Sequence, residues 1–186
     1  MTGIRKGLAR VEVALRWDPS PAGAPANDLD IVAAVFGADD LYGEPAYLVH
    51  FGRRSPDGTV TLNRDSRTGQ GFGFDEVMTL ELDRMDPRLR RVVVGVVIQG
   101  DGRTRSFGDI GGTAVRIRAG YTDLAEDDFA GVAGAGAATV AEFTRDGSGS
   151  WELHTGVRGY DAGPEEYIRA MGAEGATSGR ATGASD

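Results

Sequence analysis

Short segments in which apolar and polar residues alternate recur along the 186-residue chain, separated by stretches rich in glycine. A period of two places every second side chain on one face of a β-strand. Other apolar runs are nearly continuous, which is typical of strands buried on both faces. The predicted strands are residues 8–17, 31–36, 47–51, 59–62, 77–82, 92–98, 114–118, 139–143 and 151–155. This pattern predicts an all-β protein, a two-sheet antiparallel β-sandwich with short helical turns.

The chain length favours a single domain, which we place at residues 1–172. Proline followed by two glutamates predicts a short C-terminal helix over residues 164–171, ended by Gly172. Pro87 predicts a short helical turn over residues 86–91, and the acidic run at 123–128 is interpreted as a solvated face. Residues 173–186 are rich in alanine, glycine, serine and threonine, so we expect a disordered tail.

The composition excludes several classes of protein. The chain has no cysteine, which excludes disulfides, thiolate metal sites and cysteine catalysis. Its formal net charge of −8 argues against nucleic-acid binding and agrees with cation binding. No stretch resembles a signal peptide or approaches the ~18 apolar residues of a membrane span. We therefore expect a soluble cytoplasmic protein.

The loop at residues 63–76 is the first candidate site. Its carboxylates are Asp65, Asp75 and Glu76, and glycines alternate with other residues at Gly69, Gly71 and Gly73. Such a backbone can turn several carbonyl oxygens toward one point, where carboxylates and the hydroxyl of Thr68 or Ser66 would complete an oxygen shell suited to Ca²⁺. The loop is not an EF-hand, because Arg67 and Gln70 occupy essential positions and strands flank it. The alternative is a mobile glycine hairpin with solvated carboxylates.

A second acidic segment supports the metal interpretation. Asp28 and Asp30 are separated by one residue at the start of a strand, so both should face the same side. Two like charges entering an apolar strand repel unless a cation lies between them. The alternative is a turn that Asp28 merely caps. Together with the glycine loop, this pair favours a shared metal site.

These segments together resemble the TerD family of bacterial tellurium-resistance and stress-response proteins. The resemblance rests on residues 28–30, 55–58, 65–76, 106–110 and 147–160, in that order. Its specific part is the Asp28-Leu29-Asp30 motif combined with the run from Arg67 to Glu76. The resemblance implies a β-sandwich that binds Ca²⁺ through these acidic segments and has no established catalytic activity. It also implies protein partners such as other Ter-type proteins or a membrane-associated complex.

The chain departs from the family pattern within the loop. Gln70, Phe72 and Phe74 stand where family members usually carry acids. Fewer charged ligands weaken calcium affinity. We therefore predict one strong calcium site with any second site weak, and we expect Phe72 and Phe74 to pack against the end of the sandwich.

The sequence leaves other functions open beside a non-enzymatic, calcium-dependent interaction module. One is a recognition domain in which Ca²⁺ bridges to a carbohydrate or an anionic lipid. Another is a metal-free interaction protein. A hydrolase is disfavoured because His50 and His154 are isolated on strands and no nucleophile or phosphate-binding motif is present. We therefore expect no enzymatic activity.

Overall fold

A computed structural model describes residues 5–64, 69, 73–100 and 105–173. Two antiparallel five-stranded sheets confirm the predicted all-β sandwich. Sheet I has the order β4-β5-β1-β7-β8, and sheet II has the order β10-β9-β6-β2-β3. The strands are β1 Arg10–Arg16, β2 Leu29–Gly37, β3 Tyr47–Val49, β4 Val60–Arg64, β5 Glu76–Glu81, β6 Leu89–Ile98, β7 Ala114–Ala119, β8 Thr122–Asp127, β9 Ala137–Arg145 and β10 Trp151–Tyr160.

The main core lies between the two sheets. Sheet I contributes alternate residues such as Val11, Val13 and Leu15 of β1, as its period of two predicted. Strand β2 is different because all nine of its residues are buried. One face of β2 joins this core, and the other is covered by the C-terminal helix. Burial on both faces explains why the sequence of this strand is a continuous apolar run.

The C-terminal helix, α1 (Pro164–Ala170), confirms the predicted helix and lies on the outer face of sheet II. Tyr167 is 1% exposed, and its hydroxyl lies 2.8 Å from Thr139 Oγ1. Gly172 has φ +82°, a conformation that favours glycine, and it ends the helix. Ala173 lies in the turn after α1, and the rest of the predicted tail is outside the described residues.

The helical turn predicted at residues 86–91 is wrong. Residues 86–89 form a β-turn closed by the Leu89 amide, which donates to the Asp86 carbonyl at 2.9 Å. Pro87 suits the second position of such a turn as well as it suits a first helical position. Strand β6 then begins at Leu89, because its ladder with β2 extends to this end. A short 3₁₀ turn lies earlier, at Leu82–Arg84.

The acidic run at residues 123–128 overlaps strand β8 (Thr122–Asp127), which the sequence pattern did not predict. Leu124 is buried, while Asp123 is exposed and pairs with Arg118 Nε at 2.7 Å. The carboxylate of Asp123 therefore lies on the solvent side of sheet I, as expected of a solvated face. The strand escapes prediction because its many charges hide the single buried apolar position.

Within the described residues, no helix is long and apolar enough to cross a membrane.

Replacing Gly95 with alanine is expected to lower the free energy of unfolding by about 1–3 kcal/mol, because overpacking strains a closed core. A Cβ atom at Gly95 would lie 2.0 Å from the Tyr167 hydroxyl, so α1 would have to move. Urea denaturation measures the change. Gly131→Ala is the matched control, because a Cβ there meets nothing within 4 Å. Equal stability of the two variants would contradict this account of helix docking.

Candidate metal centre

Several predicted ligands are positioned at one end of the sandwich. Strand β2 of sheet II starts there with Leu29 and Asp30, and strand β5 of sheet I starts there with Glu76. Glu76 pairs with Leu15 near the end of β1, so the residues that follow β1 also reach this end. Antiparallel pairing therefore brings segments together that are far apart in the sequence.

Glu76 connects the two sheets. Its side chain is fully buried, and its Oε2 accepts a hydrogen bond of 2.7 Å from the Ile31 amide on β2. That amide lies before Ala33, where pairing between β2 and β3 begins, so the carboxylate takes the place of a missing strand neighbour. A buried carboxylate in this position is costly unless it is hydrogen-bonded and its charge is compensated.

Asp75 lies next to Glu76 but takes a different partner. Its Oδ2 accepts a 2.9 Å hydrogen bond from the Trp17 amide, and its own amide donates to the Leu15 carbonyl at 2.8 Å. The side chain is 5% exposed. Its Oδ1 accepts no hydrogen bond from any described residue. That oxygen is therefore available to a ligand from the solvent or from the loop.

Gln99, just after β6, holds the start of β2. Its Nε2 donates to Asp30 Oδ2 at 2.6 Å, and its amide donates to the Asp28 carbonyl at 2.8 Å. Asp30 is 3% exposed, whereas Asp28 is half-buried. The imidazole of His50 is close enough to Asp30 to interact with its charge. Burial and the charge of Arg53 lower the pKa of His50, and the charge of Asp30 opposes this shift.

Gly69, a described residue of the predicted calcium loop, lies against Trp17. It has φ +67°, and a Cβ atom there would lie 2.7 Å from Trp17 Cδ1. The Trp17 indole in turn donates to the Asn27 carbonyl at 2.9 Å, directly before Asp28. Glycine is thus required at residue 69 for conformation and for space. Through Trp17, one point of the loop is connected to the start of β2.

The other predicted loop ligands divide into two groups. Gly73 is described and has φ +87°, with nothing within 4 Å of a Cβ there. Asp65, Thr68 and Gly71 lie outside the described residues, as does Phe72. Phe74 is half-buried, and the Arg116 guanidinium lies 4.3 Å from its ring centroid.

The described residues supply part of an oxygen-rich site. Asp30, Asp75 and Glu76 are buried carboxylates at one end of the fold, and a protein donor binds at least one oxygen of each. Such fixed carboxylates fit Ca²⁺, a hard cation that prefers oxygen. However, no cluster of three or more acidic or histidine side chains close enough to hold a metal occurs among the residues described. A complete shell would therefore need ligands from residues 65–72.

The sequence did not indicate the residues that surround these carboxylates. Gln99 orients Asp30, Trp17 holds Asp75 and contacts Gly69, and Arg105 donates to Asn27 Oδ1 at 2.7 Å. The sequence assigns Trp17 only to the apolar face of the first strand. No local pattern marks Gln99 or Arg105, because both act on residues about seventy or more positions away.

Comparison with known proteins shows similarity along nearly the whole chain. A family model described as the TerD domain matches residues 1–170. The tellurium resistance protein TerD of Alcaligenes sp is 28% identical over 160 residues, which cover 84% of this chain and 83% of that protein. A crystal structure of a protein of unknown function is 61% identical, and one of a TerD homologue from Streptomyces coelicolor A3(2) is 52% identical. Each has a TM-score of 0.87 and covers 89% of this chain and 98% of its own.

Proposed function

The chain belongs to the TerD family, and from this premise we propose that it is a calcium-binding, non-enzymatic interaction module of the bacterial tellurium-resistance and stress response. Family membership is established by the match to the TerD domain over residues 1–170. The relatives named for tellurium resistance support the response in which we place the protein.

One observation carries the calcium proposal. Glu76 of sheet I is fully buried and bonds the backbone of sheet II, beside Asp75 and at the same end as Asp30. Several negative charges with little access to water repel each other and lose hydration. A divalent cation held among them offsets both costs.

The proposed ligands come from two segments. Side-chain oxygens would be supplied by Asp28, Asp30, Asp65, Thr68, Asp75 and Glu76, and carbonyl oxygens by Gly69, Gly71 and Gly73. Bound Ca²⁺ would supply positive charge and tie the glycine loop to the starts of β2 and β5. The chain's own contribution is orientation: Gln99 and the Trp17 amide hold carboxylates in place. An ordered loop on a rigid sandwich would then present a surface that depends on calcium.

The surroundings of the two histidines support a non-enzymatic role. His154 Nε2 lies 2.7 Å from Thr144 Oγ1, and His50 Nδ1 accepts a hydrogen bond from the Gly52 amide at 3.2 Å. Neither ring bonds a carboxylate in the part of the chain that the structure describes. A general base is normally oriented by such a partner.

Isothermal titration is expected to give binding of one Ca²⁺ per chain and much weaker binding of Mg²⁺. Mg²⁺ demands tight octahedral geometry and retains its waters, whereas a flexible loop with carbonyl ligands suits Ca²⁺. One ion rather than two follows from Gln70, Phe72 and Phe74 at positions where the family usually has acids. Equal Mg²⁺ affinity, or two comparable high-affinity sites, would contradict the proposed centre.

The interaction role predicts partners that bind only the calcium form. We propose a cytoplasmic protein whose partners are other Ter-type proteins or a membrane-associated complex. Immobilised protein with Ca²⁺ or with chelator would be exposed to a cell extract, and mass spectrometry would identify what is retained. If every retained protein is retained equally with Ca²⁺ and with chelator, the result would contradict a calcium-dependent interaction.

A further inference from the structure

A groove with a volume of about 880 Å³ lies on the outer face of sheet II, where strands β6, β9 and β10 meet the segment after β2. Small-molecule sites typically occupy roughly 300–1,000 Å³. Part of the wall is apolar, with Leu41, the Tyr42 ring and Val157 among its residues. The groove therefore has the size and mixed character of a ligand site.

Its charge is opposite to that of the whole protein. The described lining residues include four arginines and a single carboxylate: Arg90, Arg91, Arg145, Arg158 and Glu142. Four positive charges and one negative charge leave the lining at +3, whereas the chain carries a formal net charge of −8. Basic side chains concentrated in a concave surface raise the local concentration of anions. An acidic protein that gathers arginines in one groove is therefore suited to bind an anion there.

Arg91 is the most buried of these cations. It is 2% exposed, its Nε donates to Glu142 Oε1 at 2.8 Å, and its Nη1 donates to the Leu41 and Gly172 carbonyls at 2.9 and 2.7 Å. Its Nη2 makes no hydrogen bond to a described residue. The guanidinium also lies 4.6 Å from the Tyr42 ring centroid. Arg91 is thus a fixed cation with donor capacity left over.

Arg158 supplies a more accessible cation on the same wall. Its side chain is 51% exposed, and its Nη2 lies 3.8 Å from Glu142 Oε2. Glu142 is therefore shared between Arg91 and Arg158. Arg90 adds a buried Nε that has no hydrogen-bond partner among the described residues. The planar donors of a guanidinium group match the two oxygens of a carboxylate or the oxygens of a phosphate.

Two neighbouring β-bulges shape the floor of the groove. Strand β10 carries an extra residue relative to β9 between Thr155 and Arg158, and β9 carries one relative to β6 at Val140. Gly156, within the first bulge, has φ +131°. Bulges bend a strand and redirect its side chains, and they recur beside binding sites. Here they lie side by side on adjacent strands.

We propose that this groove binds a small organic anion, with a carboxylate or phosphate group on the arginines and an apolar body against Leu41, Tyr42 and Val157. The groove is separate from the candidate metal centre. Asp30 is the second residue of β2 and Ala38 directly follows its end, so the two sites are about 25 Å apart at roughly 3.3 Å per residue. The affinity for the anion should therefore be the same with Ca²⁺ and with chelator. This expectation does not depend on whether the protein binds Ca²⁺.

Calorimetric titration of the full chain with four probes tests this. 3-Phenylpropionate and phenyl phosphate are expected to bind, and to bind about fivefold more weakly when salt is raised from about 0.05 to about 0.5 M, because salt screens partly exposed charges. The neutral 3-phenylpropionamide should bind about tenfold more weakly than its acid, and inorganic phosphate more weakly than phenyl phosphate. The organic anion that binds more tightly shows whether the groove prefers a carboxylate or a phosphate group. Equal binding of the acid and the amide, or no binding of either anion, would overturn the proposal.

Two variants place the anion in the groove. Arg158→Gln should reduce affinity for the preferred anion about tenfold, while Arg169→Gln, on the exposed face of α1, should leave it unchanged. Glu142→Gln removes the only described carboxylate of the lining, so affinity should increase even though stability falls. A structural role for Glu142 predicts no such gain. Unchanged affinity in both groove variants would exclude this site.

Discussion

Arg91→Met is expected to lower the free energy of unfolding by about 3–5 kcal/mol, because it breaks an ion pair in which the guanidinium is buried. The substitution removes the closer of the two arginines that pair with Glu142, and it removes the donor to the Leu41 and Gly172 carbonyls. It also removes the cation that packs on the Phe36 ring, 5.1 Å from its centroid. Urea denaturation with a fixed m-value measures the loss.

Two further variants separate charge burial from general damage. Arg169→Gln breaks an exposed pair with Glu165 and should change stability by no more than about 0.5 kcal/mol. The double variant Arg91→Met with Glu142→Leu should recover part of the loss, since it also removes the carboxylate that has lost its closer partner. A loss below about 1 kcal/mol in Arg91→Met would show that this pair does not secure the outer face of sheet II.

Calcium at a hundredfold excess over its Kd is expected to stabilise the protein by about 2.7 kcal/mol, because the ion binds the folded state preferentially. Asp28→Asn combined with Asp30→Asn should abolish most of this increment. The Gln99 amide group can still donate to the side-chain oxygen of an asparagine that replaces Asp30, so the metal-free fold should remain. Thermal denaturation with Ca²⁺ and with chelator measures both quantities.

Asp123→Asn is the matched control for that variant. Asp123 is an exposed carboxylate on β8 that pairs with Arg118, away from the start of β2. The control should keep the full calcium increment. If the double variant keeps it as well, Asp28 and Asp30 are not ligands, and the centre would have to be assigned to the glycine loop alone.

Local patterns predicted the elements whose signal does not depend on distant partners. Alternation marked the core strands of sheet I, and continuous apolar runs marked β2 and β6. Pro164 and Gly172 bounded the C-terminal helix, because their backbone preferences are intrinsic. The prediction failed at Pro87, because proline is equally suited to a β-turn and to the start of a helix. The pairing of β6 with β2 favours the turn.

The candidate centre shows the same division. Residue types and spacing were enough to single out Asp28, Asp30, Asp75 and Glu76 as carboxylates of interest. They did not reveal that Glu76 bonds the opposite sheet at Ile31, or that Gln99 holds Asp30. Glu76 and Ile31 are 45 positions apart in the sequence, and Gln99 and Asp30 are 69 positions apart.

Strand period, turn chemistry and motif spacing are local properties of the chain, and they were enough to predict the all-β class, the family and the acidic segments. The sequence did not reveal which strands are neighbours, which carboxylates are buried, or that arginines from β6, β9 and β10 line one groove. Burial and electrostatic environment arise from packing between distant segments, and no local pattern encodes which segments will meet.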